Sequence, residues 1–253
     1  MSAAANPATP KGSATADAER AYVRNATEAD GEAFQKHLRT KGFVDPSFVQ
    51  TWGAVTGVLA ARDFGPKVLD LGCGPGWTSV FLAARGLEVT AADLSPDMLA
   101  IARANAERHG VQISTAEADM QAGFDLGHDF DAVLIFDALH HCQDEEAVLR
   151  HAYASLRPGG RILLVEPDWF HEFGRSARHD RAQFGTTERG MGWGRMSRAL
   201  KRAGFEKAER FYSLQGTFEK GPLQQLRSLV VAALTVTVGF PHRSVIGYAR
   251  KRG

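Results

Sequence analysis

Cysteine is scarce in this sequence. Cys73 and Cys142 are the only two, too few for a disulfide framework or a cysteine-built metal centre. They read as reduced thiols of a cytoplasmic protein. An excess of charge of one sign is also missing: 30 basic residues face 29 acidic ones, for a net charge of +1. Nucleic-acid binders usually carry a basic excess or a basic stripe, so no nucleic-acid partner is expected. Long apolar runs are absent as well. The longest, "LVVAALTVTVGF" from Leu229 to Phe240, has 12 residues, where a bilayer-spanning helix needs about 20. The opening "MSAAANPATPKGSATADAER" lacks the apolar core of a secretory signal. Its Ala, Ser, Thr and Pro content is that of a disordered tail. No internal repeat is found.

What is present is an ordinary globular composition. The 253 residues are 44% hydrophobic and 23% charged, enough for one large domain with a sizeable core. Two helical stretches, "GEAFQKHLRTKGF" and "PSFVQTWGAVTGVLAAR", come first and part near Asp45 and Pro46. Strands and helices then alternate. "KVLDLGC", "LEVTAAD", "VQISTAEAD", "FDAVLIFD" and "RILLVEP" read as strands. The best-marked helix is "SPDMLAIARANAERHG", with Ser95 as N-cap, Pro96 at the first helical position and Gly110 closing it. Such alternation predicts a parallel sheet covered on both faces. A long polar stretch over 167–191 follows, then the helix "GRMSRALKRAGF", a strand in "EKAERFYSL", a helix in 222–240 and a last strand in "SVIGYARKR". The expected fold is therefore α/β and doubly wound, a Rossmann-like, seven-stranded, mostly parallel sheet with an antiparallel strand at its edge. Residues 1–20 are the expected tail and 21–63 an N-terminal helical cap. Residues 64–253 form the main domain, with insertions at about 167–191 and 222–240.

The segment "VLDLGCGPGWTS" places Gly72, Gly74 and Gly76 directly after the first strand. Ligands of open α/β sheets bind beyond the carboxyl ends of the strands, and glycine allows both a tight turn and close backbone approach. The spacing is G-x-G-x-G rather than the dinucleotide pattern G-x-G-x-x-G. Pro75 also removes a backbone N–H that a pyrophosphate could use. Asp93, ending the second strand, can accept hydrogen bonds from both hydroxyls of a ribose. The site looks built for a nucleoside carrying a non-phosphate group.

"VLDLGCGPG" followed by "VTAADLSPDML", "AEADM", "FDAVLIFDALHHCQD" and "LRPGGRILLVEP" resembles the class I S-adenosylmethionine-dependent methyltransferases, in the branch of small-molecule enzymes. The resemblance covers about residues 66–167. It implies S-adenosylmethionine as cofactor and S-adenosylhomocysteine as product. It further implies that Asp70 and the loop of Gly72, Cys73, Gly74 and Gly76 face the methionine part of the cofactor. Asp93 would bind the ribose, with Leu94 packed on the adenine. Asp119 would accept from the adenine amino group, with Met120 on the ring. Phe136 and Asp137 would border the methionine and the entrance for the acceptor.

Transfer of a sulfonium methyl is an in-line displacement, so alignment and exclusion of water carry much of the catalysis. An oxygen acceptor can call for a base, and His140 and His141 in "DALHHCQD" have the right chemistry. Packing is the other reading of both. Glu166 and Asp168 could orient a polar acceptor or cap their loop. His171 and His179 read as surface residues. No metal is expected. Aromatics of the appended parts, Phe43, Phe48, Trp52, Trp169, Phe170 and Phe173, could stack on an acceptor or serve as core. The leading expectation is methyl transfer to an oxygen or nitrogen of a small molecule, by a monomer or homodimer. A binding protein without turnover and a nicotinamide oxidoreductase are the competitors. A fourth reading is a lipid-directed enzyme using 229–240 and the basic end "ARKRG"; burial of that helix in the core is the plainer expectation.

Overall fold

The computed structural model describes residues 14–212, 221–238 and 244–253. Helix α1 (Ala14–Val44) bends at Gly31, whose φ of 61° and ψ of −141° break the helical run. Helix α2 (Pro46–Ala61) follows after Asp45, whose carboxylate accepts from the Ser47 N–H as an N-cap. The alternating part comprises β1 (Lys67–Leu71), α3 (Trp77–Ala84), β2 (Glu88–Asp93), α4 (Pro96–Arg108), β3 (Ser114–Glu117), β4 (Phe130–Phe136), α5 (Glu145–Ser155) and β5 (Leu156–Pro167). Then come α6 (Arg175–Phe184), α7 (Trp193–Arg202), β6 (Glu209–Phe211), α8 (Pro222–Val238) and β7 (Ser244–Arg250). Short 3₁₀ turns at Leu139–His141 and Trp169–Phe173 follow β4 and β5.

The seven strands form one sheet in the order β3-β2-β1-β4-β5-β7-β6. Strands β1 to β5 pair in parallel, while β7 runs antiparallel to both β5 and β6. The strand order reverses between β1 and β4, which opens a crevice beyond their carboxyl ends. Every residue of β4 is buried, as its unbroken apolar run requires of a central strand. Side chains alternate to two cores. Leu69, Leu71, Val133, Ile135 and Leu164 pack towards α5 and α7. Val68, Leu134, Phe136, Leu163 and Val165 pack with Trp52, Val55 and Val58 of α2 and Trp77 of α3.

Three regions differ from the sequence-based expectation. Residues 14–20, read as tail, are the first turns of α1, and they make tertiary contacts through Glu19 and Arg20. Residues 1–13 lie outside the described residues. The polar stretch 167–191 holds a 3₁₀ turn and α6 rather than an extended loop. Helix α8, expected to be buried, exposes Leu223, Leu226, Leu229, Val230 and Leu234. Trp52 is core, joining α2 to Trp77, Phe81 and Phe136. Trp169, Phe170 and Phe173 stand exposed on the surface.

Candidate functional site

The crevice at the reversal point is a cleft whose floor is the turn after β1. Its three glycines have different jobs. A Cβ at Gly72 would lie 2.6 Å from the Ala138 Cβ, and one at Gly76 2.5 Å from the Ala102 Cβ. Those two glycines let neighbouring elements close up. Gly74 has φ 52° and a Cβ there would meet no atom within 4 Å. It faces the open space of the cleft, which it lines.

Two acids hold this turn. Asp93, at the end of β2, accepts from the Gly74 N–H at 2.8 Å and the Ser95 N–H at 2.9 Å, and it lines the cleft. Burial pushes its pKa up, and the two backbone N–H groups pull part of it back. Asp70 lies under the turn, 1% exposed. Its Oδ2 accepts from the hydroxyls of Thr78 and Ser79 in α3, at 2.6 and 2.5 Å. Burial raises its pKa to about 6, against the pull of those hydroxyls. Its buried Oδ1 has no hydrogen-bond partner, an unmet acceptor beneath the glycine turn. The Cys73 thiol is buried too, and burial with the nearby Asp93 and Asp70 charges lifts its pKa far above the ordinary value.

Leu94, Met98, Ala118 and Met120 supply an apolar wall further along the cleft. Asp119 sits beside it, with Oδ1 accepting from the N–H groups of Gln121 and Ala122. Phe136 and Asp137 line the opposite end. The cleft is roofed by α1, through Ala16, Glu19, Leu38 and Lys41. A nucleoside with an amino-acid arm fits these residues. There is a charged acceptor for hydroxyls, an apolar wall for a base, a Cβ-free approach at Gly74 and an unmet carboxylate oxygen below.

A second cavity, of about 450 Å³, opens on the other side of Phe136 and Asp137. That lies within the range of about 300–1,000 Å³ usual for small-molecule sites. The two cavities share Lys41, Phe48, Phe136 and Asp137. Thr51, Glu166, Asp168, Phe170 and His171 line the second cavity alone. Asp137 is the only non-glycine with positive φ, 55°, among the described residues. Burial favours its neutral form, but Lys41, 3.9 Å away, and His140, His141 and His171 outweigh that and hold its pKa below the usual value.

Glu166 explains that unusual backbone. Its Oε1 accepts from the N–H groups of Ala138 and Leu139, and its Oε2 from the N–H of His140 and pairs with His140 Nδ1 at 2.8 Å. One buried carboxylate thus clamps the whole turn after β4, and with it Asp137. His140, 3% exposed, lines neither cavity. His141 lines the cleft between Glu19 at 3.3 Å and Glu188 at 3.4 Å. Burial pulls its pKa down, yet those carboxylates prevail and raise it to about 10. It is therefore a cation at neutral pH. Asp168 caps the 3₁₀ turn by accepting from the Trp169 N–H. His179 is exposed, as expected, whereas His171 is half-buried and reaches Glu188 at 2.9 Å. Sequence reasoning passed over Glu19, Lys41 and Glu188. Glu19 lay in the alanine-rich stretch read as tail. Lys41 carries no local signal, and Glu188 closes a polar stretch with no motif.

Residues 68–160 match the family model described as a methyltransferase domain. The chain is 38% identical over 104 residues to the ubiquinone biosynthesis O-methyltransferase of Xanthomonas axonopodis pv. citri (strain 306), covering 40% of this chain and 42% of that one. A Pseudomonas putida (strain KT2440) protein of the same name is 35% identical over 101 residues, covering 40% and 44%. The chain thus spans less than half the length of these curated relatives. Among solved structures, phosphoethanolamine N-methyltransferase 2 of Haemonchus contortus, in complex with S-adenosyl-L-methionine, is similar with a TM-score of 0.67 at 20% identity, covering 96% of this chain and 61% of that one. An S-adenosylmethionine-dependent methyltransferase of Mesorhizobium loti has a TM-score of 0.59 at 22% identity, covering 80% and 98%. At these identities the structural likeness speaks for the fold.

Proposed function

We propose that this chain, whose residues 68–160 match the methyltransferase-domain model, moves a methyl group from S-adenosylmethionine to the hydroxyl oxygen of a small-molecule acceptor, leaving S-adenosylhomocysteine and releasing the hydroxyl proton. The observation that carries the proposal is the shared wall. The glycine-turn cleft and the second cavity meet at Phe136 and Asp137, so two ligands can face each other there. Oxygen is favoured because the relatives that match through residues of the shared sheet are named as O-methyltransferases.

S-adenosylmethionine supplies an electrophilic methyl group on a sulfonium. The chain supplies the rest. Asp93 would accept from the ribose hydroxyls, Gly74 would leave room for the methionine arm, and Leu94 and Met120 would pack on the base. Asp70 and its Thr78 and Ser79 partners keep the turn in place. Asp137, held ionised, would accept a hydrogen bond from the acceptor hydroxyl and offset the positive charge that reaches its oxygen with the methyl group. Phe48 and Phe136 exclude water from the crossing point. Glu166 and His140 act through the turn they clamp, as positioning residues. His141, already protonated, is suited to pairing with α1 at Glu19 rather than to taking a proton.

The test is incubation of the full chain with methyl-labelled S-adenosylmethionine and a panel of hydroxylated and amine acceptors. Label recovered as an O-methyl product, with equal S-adenosylhomocysteine, is the expected result. Label on nitrogen alone would overturn the choice of atom. Absence of both S-adenosylmethionine binding and transfer would overturn the function.

A further inference from the structure

Beside the second cavity lies a cluster whose ligand atoms the methyl-transfer reading does not use. His140, His171 and Glu188 each offer a ligand atom, and these atoms lie within 4.8 Å of one another. His171 Nε2 stands 2.9 Å from Glu188 Oε2, and His140 Nε2 stands 3.6 Å from the same oxygen. The first is a hydrogen bond; the second is too long for one. Yet His140 and the Glu188 carboxylate are both deeply buried, at 3% and 5% exposure.

Tautomers sharpen the point. The Glu166 carboxylate can only accept, so the His140 Nδ1 that faces it carries a proton. The His140 Nε2 then faces Glu188 Oε2 across 3.6 Å, a gap that no hydrogen bond closes. His141 pairs with Glu188 Oε1 at 3.4 Å, which leaves Oε2 to His171 and His140. A carboxylate holding the far nitrogen of an imidazole is also the usual outer-shell support of a metal-bound histidine.

We propose that His140, His171 and Glu188 form a binding site for a first-row divalent transition cation of the zinc type, with Glu166 orienting His140. Two imidazoles and one carboxylate suit such a cation. Ligand atoms on one tetrahedral ion lie roughly 3.3 Å apart, as follows from metal–ligand bonds of about 2.0–2.2 Å. Shifts of about 1 Å or less would bring the cluster to that spacing. His171 also lines the second cavity, so the ion would stand at the wall of the acceptor site and could take an acceptor oxygen as its next ligand. That last role rests on the methyl-transfer reading; the site itself does not.

The test uses the full chain, stripped with a chelator and titrated with Zn²⁺ by calorimetry, and with Co²⁺ by visible absorption. One Zn²⁺ per chain is expected, with Co²⁺ bands typical of low coordination number. His171→Ala, at a half-buried position, and Glu188→Gln should each weaken Zn²⁺ binding at least tenfold. Glu166→Gln should weaken it by about 10–100-fold, the usual effect of losing an outer-shell partner. His179→Ala, on the surface, should leave it unchanged. Melting temperatures identify any variant that fails to fold, and His171→Ala decides if Glu188→Gln does not fold. Wild type that takes up no Zn²⁺, or His171→Ala that binds like wild type, overturns the site. Zn²⁺ uptake by a chain that binds no S-adenosylmethionine would support the site while removing the function. Methyl transfer by a chain that takes up no Zn²⁺ would do the reverse.

Discussion

The cleft and the second cavity share Phe136 and Asp137 but are built in opposite ways. The cleft's floor and walls come from consecutive strand-to-helix turns, with Asp70, Gly74, Asp93, Asp119 and Asp137 following one another at strand ends. Backbone N–H groups and a few acids define it. The second cavity draws on α1, α2, the turns after β4 and β5, and the start of β7. Its side chains meet only because the chain folds over itself. The first kind of site is tied to the fold, and the second is free to vary with the appended elements.

If that contrast holds, the largest effect should follow from filling Gly74, where an added Cβ would enter open space of the cleft. Gly74→Val should abolish S-adenosylmethionine binding, by more than about 100-fold in calorimetry. It blocks the approach and forces a β-branched residue to a φ of 52°. A folded valine variant with normal affinity would make the turn purely structural. Asp93→Ala comes next. Hydrogen bonds to a charged group are worth about 1.5–3 kcal/mol, so affinity should fall by roughly 10–100-fold. Unchanged affinity would remove Asp93 from the ribose.

At the shared wall the expected effect is smaller and kinetic. Asp137→Asn keeps the shape but removes the charged group that would accept from the acceptor hydroxyl as positive charge reaches its oxygen. Turnover at saturating ligands should drop about tenfold, while S-adenosylmethionine affinity changes by less than about threefold. A loss confined to affinity would place Asp137 on the cofactor side alone.

The smallest effect concerns stability. The pKa of Asp70 is raised by burial to about 6, so its protonated form favours the fold. That stability is fully present below the unfolded carboxyl pKa, near ~4, and is lost as pH rises through about 6. Asp70→Asn stays neutral throughout. Its melting temperature relative to wild type should therefore rise by a few degrees between pH 4 and pH 7, measured without ligand. A difference that is flat with pH would mean the carboxylate is as comfortable folded as unfolded.

The same contrast explains what the sequence disclosed. The succession of strands and helices along the chain, the glycine turn and the acids at strand ends are local signals, written as apolar runs, turn residues and caps within short windows. Ser95 as a cap belongs to that class. The second cavity is written in distant pairs. Nothing near Glu188 announces that it will meet His140, His141 and His171, and nothing near Lys41 announces Asp137. Glu166 was visible as a candidate, but its service to the N–H groups of Ala138, Leu139 and His140 depends on β4 and β5 lying side by side. Helix α8 shows the limit of composition: "LVVAALTVTV" has core-like content, yet its leucines lie on the surface.

The account's central claim is that the methyl group crosses at Phe136 and Asp137, and a crystal structure of the chain with S-adenosylhomocysteine bound tests it most directly. The account predicts the ribose on Asp93 and the sulfur at the shared wall, open towards the cavity of Glu166, Asp168 and His171. A sulfur turned to bulk solvent, or a ligand bound away from the glycine turn, would contradict it.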